Sequence, residues 1–334
     1  MKILYLPNAY SQQRQREKKA HIYPILLAMQ AEWHKKQGDR VDWANHDYPN
    51  VEKYYDKIIY EPENIPFREL PHADRGFTRF WEYQDNGNFK HLPATYILSA
   101  NGCWHGKCTF CVEQNQKWEV REVNDVISEI EECKALGIRE VFDDSGTFPI
   151  GNWLDLFCKS MYNSGLVLGC NFRMVDTDYA QMKEAGFRML LFGLESANQN
   201  TLDKIQKGTK VEDVKYIIKA AKAGLEPHIA VMFGYPWETD EDALNTLRLV
   251  HYLLRKGYAR TAQASLYRPT ENCVGYKDGE PNYNHQKYIR RIYRAAYHLD
   301  FWWNKLKDIH NGDDLGYLWK QIKVGINEIY KDKR

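Results

Sequence analysis

Between residues 95 and 270, short apolar runs alternate with stretches whose apolar residues return every three or four positions, so strands and helices are expected in turn. The strand candidates are residues 96–100, 140–143, 166–171, 188–192, 228–233 and 261–266. Between them, a helix capped by Asn124 carries Val126, Ile127, Ile130 and Cys133 on one face and stops at Gly137. Further helices are predicted at about 153–163, 178–185, 211–223 and 241–256. Such alternation with short connections means parallel strands and right-handed crossovers. Six βα units in these residues are too few for a closed eight-stranded barrel, which takes about 250 residues. The fold class predicted is α/β, an open partial (β/α)6 TIM-like barrel.

Ahead of it, strand candidates at 3–6, 41–44 and 57–60 surround a helix at 22–36, with Ile22, Ile25, Leu26, Met29 and Trp33 on its apolar face and Gly38 at its stop. This reads as a small Rossmann-like α/β unit. The next residues, 61–93, hold four prolines and read as an irregular connector. From about Gln286 the chain turns helical and aromatic. The expected organisation is a first unit at 1–75, a connector at 76–94, the barrel at 95–270 and a helical extension at 271–334.

Composition narrows the function classes. The 334 residues carry 46 Lys plus Arg against 45 Asp plus Glu, so the net charge of +1 exerts no long-range pull on nucleic acid or an anionic membrane. Mean hydropathy is −0.66, and no apolar run approaches the roughly 20 residues of a membrane span. The start lacks the form of a signal peptide and is soon followed by a charged run at 14–19, so a cytoplasmic protein is expected. Seven cysteines, an odd number without an export signal, argue against a disulfide framework.

Three of those cysteines, Cys103, Cys108 and Cys111, lie within nine residues directly after the first barrel strand. On a parallel barrel that loop belongs to the face where active sites are built. Three thiolates can hold three corners of a 4Fe-4S cluster and leave one iron open. The same cysteines with His105 also suit a Cys3His zinc site, a non-catalytic scaffold. Spacing alone leaves both readings open.

The strand ends that follow resemble, in order, those of the radical S-adenosylmethionine (SAM) superfamily over about residues 95–270. The resemblance makes Phe110, before the last cysteine, a neighbour of the adenine. It gives Asp143, Asp144 and Ser145 to the SAM amino group, Arg173 to the carboxylate, and Glu195 of Gly193-Leu194-Glu195-Ser196 to the ribose or amino group. Met232 and Gly234, before Pro236-Trp237-Glu238-Thr239, fall on the adenine side, with Glu238 and Thr239 bracing that loop. The spacing departs from the family's: four residues and then two separate the cysteines, where three and then two are usual.

The reaction implied is reductive cleavage of SAM to a 5′-deoxyadenosyl radical that abstracts hydrogen from a substrate, with Tyr235, Tyr267 and Cys273 as candidate final hydrogen or proton donors. A reducing partner such as flavodoxin or ferredoxin is then required. The first 75 residues and the segment Leu70-Pro71-His72-Ala73-Asp74-Arg75 resemble the subgroup with a cobalamin-binding domain, here shortened and without its Asp-x-His-x-x-Gly motif. Cobalamin-dependent methyl transfer is therefore the alternative rather than the leading expectation. No second cysteine cluster and no basic RNA-binding module follow the barrel.

Overall fold

The computed structural model describes residues 1–7, 23–44, 50–84 and 87–330. The charged run at 14–19 and Ile22 lie outside the described residues.

The first strands are β1 (Lys2–Tyr5), β2 (Arg40–Trp43) and β3 (Lys57–Ile59), with helix α1 (Ile25–Lys36) between the first two. They form a parallel sheet in the order β2-β1-β3. Leu4, Leu6, Ala44 and Val51 make a small core there, and Tyr5 stacks on Trp43. The buried residues of α1 differ from the expected face. Ile25, Leu27, Ala28, Met29, Gln30, Ala31 and His34 are buried, whereas Leu26 and Trp33 are half-exposed. Polar partners account for the difference. Gln30 exchanges two hydrogen bonds with the backbone of Glu63, and His34 lies between Asp39 and Glu63, so both can be buried at little cost.

The barrel strands are β4 (Ala94–Ile97), β7 (Glu140–Asp143), β8 (Val167–Phe172), β9 (Phe187–Glu195), β10 (Glu226–Phe233) and β11 (Thr261–Leu266). They form a six-stranded sheet in sequence order, with parallel pairing from β8 to β11. β9 is buried along most of its length, as expected of a parallel strand covered on both faces. The first barrel strand ends early. Residues Ala100–Asn101 form a separate strand β5, which pairs antiparallel with β6 (Glu119–Val120) across the cysteine loop.

The helices are α2 (Val123–Ala135), α3 (Asn152–Met161), α4 (Tyr179–Glu184), α5 (Gln199–Lys204), α6 (Val214–Lys222) and α7 (Asp240–Arg255). α2 begins at Val123, so Asn124 lies inside the helix instead of capping it. The tail holds α8 (Gln286–Arg291), α9 (Leu299–Lys307) and α10 (Gly312–Tyr330). α7 starts on a capping box. Thr239 Oγ1 accepts from the Asp242 amide, Asp242 Oδ2 accepts from the Thr239 amide, and acidic residues fill the positive end of the helix.

Two compact units result, one of residues 1–98 with 124–142 and one of residues 99–123 with 143–334. The residues of the candidate site all belong to the second. Among the described residues no helix is long and apolar enough to cross a membrane.

Candidate functional site

The cysteine loop leaves β5 with Cys108 buried and Cys103 and Cys111 partly exposed, all as free thiols. Burial pushes the Cys111 thiol up to about 11, and negative charge on Cys108 or Cys103 would push in the same direction. Among the described residues no three His, Cys, Asp or Glu side chains converge closely enough to hold a single metal ion. A cubane separates its ligand sulfurs far more than one ion does, so a cluster does not require that convergence. His105 Nε2–H donates to the Gln206 carbonyl at 2.8 Å, and no Cys3His set converges among the described residues.

Asp143 is fully buried at the end of β7. Its carboxylate accepts from the Ser99 amide at 2.8 Å and the Ser145 amide at 3.0 Å, bracing the backbone that leads into the cysteine loop. Ser145 Oγ accepts from the Ala100 amide at 3.0 Å. Asp144 makes one weak contact, from Asn171 Nδ2 at 3.3 Å, and burial pushes its carboxyl up to about 6. Of the acidic pair, Asp144 is therefore the one whose charge is poorly compensated.

Arg173, just past β8, is buried. Its guanidinium lies over the Trp104 ring with Nη1 4.0 Å from Cys108 Sγ, and Nη2 donates to the Lys207 carbonyl. Its Nε has no partner among the described residues. At the end of β9, Glu195 adopts a left-handed backbone (φ 60°) and pairs with Lys207 Nζ at 2.8 Å. A non-glycine residue with positive φ is strained, and such strain concentrates at functional sites. Gly193 makes the pair possible. A Cβ at that position would lie 2.4 Å from Glu195 Oε1 and 2.6 Å from Lys207 Nζ.

Phe110, Val211 and Trp237 pack against a cluster of Leu202, Ile205, Met232, Tyr235 and Tyr267. The Tyr235 and Tyr267 rings lie 4.6 Å apart. The Tyr235 hydroxyl is buried without a partner among the described residues, whereas Tyr267 donates to Asp278 at 2.7 Å. Burial raises both phenols well above their ordinary range. Cys273 is buried and donates to the Phe110 carbonyl at 3.4 Å, which brings the segment after β11 onto the cysteine loop. Gly234 donates its amide to Glu238 Oε2 at 2.6 Å, and His285 Nδ1 meets the same oxygen at 2.7 Å. Glu238 is thus the expected loop brace.

Lys207 escaped the sequence reading. It follows α5, a six-residue helix of largely polar composition with no apolar period to reveal it. Its only sequence signal is the Gly208 beside it, which takes the φ of +67° that a tight helix exit favours.

Residues 97–250 match the sequence profile of the radical SAM superfamily. This segment is a radical SAM domain. An uncharacterised methyltransferase of Pyrococcus horikoshii is 26% identical over 173 residues, covering 48% of this chain and 38% of that protein. A protein of Methanocaldococcus jannaschii named as a methylthiotransferase is 29% identical over 171 residues, covering 45% of this chain and 37% of its own. The matches thus span well under half the length of these relatives. Among solved structures, the radical SAM methyltransferase TsrM of Kitasatospora setae, with tryptophan and a SAM analogue bound, superposes with a TM-score of 0.51 at 20% identity, over 65% of this chain and 42% of TsrM. The cobalamin-dependent radical SAM enzyme OxsB, with aqua-cobalamin bound, gives 0.50 at 12% identity, over 88% of this chain and 49% of OxsB. At these identities the likeness is one of fold. The radical SAM domain of this chain carries its three thiols, Arg173, Lys207 and Glu195 at the same end of the sheet.

Proposed function

We propose that the chain is a radical SAM enzyme, with Cys103, Cys108 and Cys111 holding a 4Fe-4S cluster and the ends of β7 to β10 holding SAM. The cluster with SAM would supply reductive cleavage of the sulfonium bond, giving methionine and a 5′-deoxyadenosyl radical that takes hydrogen from the substrate. The observation that carries this reading is the charge beside the thiols. Lys207 pairs with Glu195, whereas Arg173 meets no carboxylate among the described residues and lies 4.0 Å from Cys108 Sγ, and Asp144 stands a strand away with little to balance it. A zwitterionic amino-acid end meets both needs: its carboxylate suits the Arg173 fork and its ammonium suits Asp144. Phe110 and Met232, on the apolar cluster, suit the adenine, and that cluster helps to exclude water from the reacting centre. Tyr235, Tyr267 and Cys273 border the same region as candidate final donors. A one-electron reductant of the flavodoxin or ferredoxin class is the partner implied, and the reducing cytoplasm suits a protein whose cysteines are all free.

Anaerobic purification with iron and sulfide analysis, followed by reduction and assay for 5′-deoxyadenosine, tests the proposal. Replacing Cys103, Cys108 or Cys111 by Ala should abolish cluster binding, and replacing the buried helix residues Cys133 or Cys158 should leave iron content unchanged. One zinc without sulfide, or equal loss of iron from both sets, overturns it.

Cobalamin-dependent methyl transfer is the second reading. It is favoured by the fold likeness to OxsB, which extends over 88% of the chain and so reaches beyond the radical SAM domain. Against it, the described part of residues 1–60 is three short strands, one helix and one short turn, a small surface for so wide a ligand. The expected result is that hydroxocobalamin does not co-elute with the protein on gel filtration. Stoichiometric retention makes methyl transfer through cobalt the leading reading.

A further inference from the structure

Three successive carbonyls at the end of α5 are each taken by a different donor. Ile205 O accepts from the Thr109 amide at 3.0 Å, Gln206 O from His105 Nε2 at 2.8 Å, and Lys207 O from Arg173 Nη2. The last carbonyls of a helix lack partners within it, and here the cysteine loop and the end of β8 supply them. The backbone between them is tightly turned, with φ of 51° at Gln206 and 67° at Gly208. The fit around His105 is close. A Cβ on Gly208 would lie 2.4 Å from His105 Cε1 and 3.1 Å from its Nε2, so the ring occupies the space that only a glycine leaves. His105 stands within the four residues that separate Cys103 from Cys108. The segment so fixed is the one from which Lys207 reaches Glu195 at 2.8 Å.

We infer that His105 is a positioning residue: it latches the 205–208 turn onto the cysteine loop and thereby sets Lys207 against Glu195 and the Lys207 carbonyl against Arg173. The inference rests on the radical SAM reading, since the charges it positions are those proposed to meet SAM. It gives the longer cysteine spacing a use, because the added room lets one side chain reach out of the loop while the thiols remain on it.

The test uses anaerobically reconstituted protein, with iron and sulfide analysis, equilibrium SAM binding by calorimetry and amide hydrogen exchange read segment by segment. In His105→Ala, iron and sulfide should match wild type, SAM affinity should fall about three- to tenfold, as one lost hydrogen bond implies, and the amides of Thr109 and Lys207 should exchange faster. His105→Gln, whose amide nitrogen reaches a similar point, should restore both. Gly208→Ala should reproduce the defect, and the double variant should lose less than the two single losses combined, because the steric conflict goes with the ring. Wild-type exchange and wild-type affinity in His105→Ala overturn the inference, and so does loss of iron, which would make His105 part of the cluster's own support. If wild-type protein itself binds no SAM, the radical SAM reading fails, while the exchange comparison still decides whether His105 holds the turn.

Discussion

Two buried ion pairs in this chain have opposite surroundings. In the first unit, Arg75 and Glu129 meet at 2.7 Å with side chains 1% and 0% exposed. Every guanidinium nitrogen of Arg75 has a partner, since Nε donates to Thr95 Oγ1, Nη1 to Ala73 O and Nη2 to Tyr96 O as well as to Glu129. In the second unit, Lys207 and Glu195 meet at 2.8 Å, but Glu195 holds a strained backbone, and Arg173 Nε and the Tyr235 hydroxyl nearby lack partners among the described residues. A closed network of the first kind holds chain segments together. An incomplete one retains donors and acceptors that a ligand can use, at some cost in stability.

The largest effect expected from this contrast is on stability. Glu129→Ala leaves the Arg75 cation buried and unpaired, which should cost about 3–5 kcal/mol in denaturant unfolding. Replacing both partners by apolar residues of similar size (Arg75→Met with Glu129→Leu) should recover most of that loss, because no charge is then stranded. If Glu129→Ala leaves stability unchanged, the pair is not the closed network described, and the contrast between the two sites collapses.

How far the sequence revealed these two sites differs for a physical reason. The barrel strands and the cysteine loop follow from apolar period and cysteine spacing, and Glu195 and Arg173 from the resemblance of their strand ends to those of the radical SAM superfamily. Arg75 is visible only as part of a short resembling segment, and nothing in the sequence singles out its partner Glu129 among the acidic residues of that helix. Lys207 could not be read because it follows a short polar helix and meets Glu195 only in the fold, and the role of His105 depends on a segment 101 residues away. The residues missed on α1 fail in a related way. Gln30 and His34 are polar by type but buried by their partners, so a reading based on hydrophobicity assigns them to solvent.

A middle-sized effect separates the second site from the first by ligand affinity. Glu195→Ala or Arg173→Ala should weaken SAM binding about ten- to hundredfold, equivalent to about 1.5–3 kcal/mol for a charged hydrogen bond, while iron content stays at the wild-type level. Equilibrium binding to the reconstituted protein measures this. Unchanged affinity in both variants would show that the open network serves the fold, as Arg75 and Glu129 do.

The smallest expected effect concerns Asp144, the acid of this site with the least compensation. Burial is the main cause that lifts its carboxyl from 3.8 to about 6, and the contact from Asn171 lowers it only in part. For an acid raised in this way, the stabilising contribution is full below the unfolded value and is lost as pH rises through the native one. Wild type should therefore lose on the order of 2 kcal/mol between about pH 4 and pH 7 relative to Asp144→Asn, which has no charge to bury. The two should be equally stable near pH 4, and the variant should be the more stable at pH 7. A bound ammonium reverses the preference by favouring the carboxylate, so SAM affinity of wild type should fall as pH drops below about 6, while Asp144→Asn should bind weakly at every pH. Unfolding curves of the two proteins across this range, paired with SAM titrations at pH 5.5 and 7.5, measure both halves. Parallel stability curves would mean that Asp144 is compensated as fully as Glu129, and the distinction between a closed network and one open to a ligand would then have to rest on Arg173 and Lys207 alone.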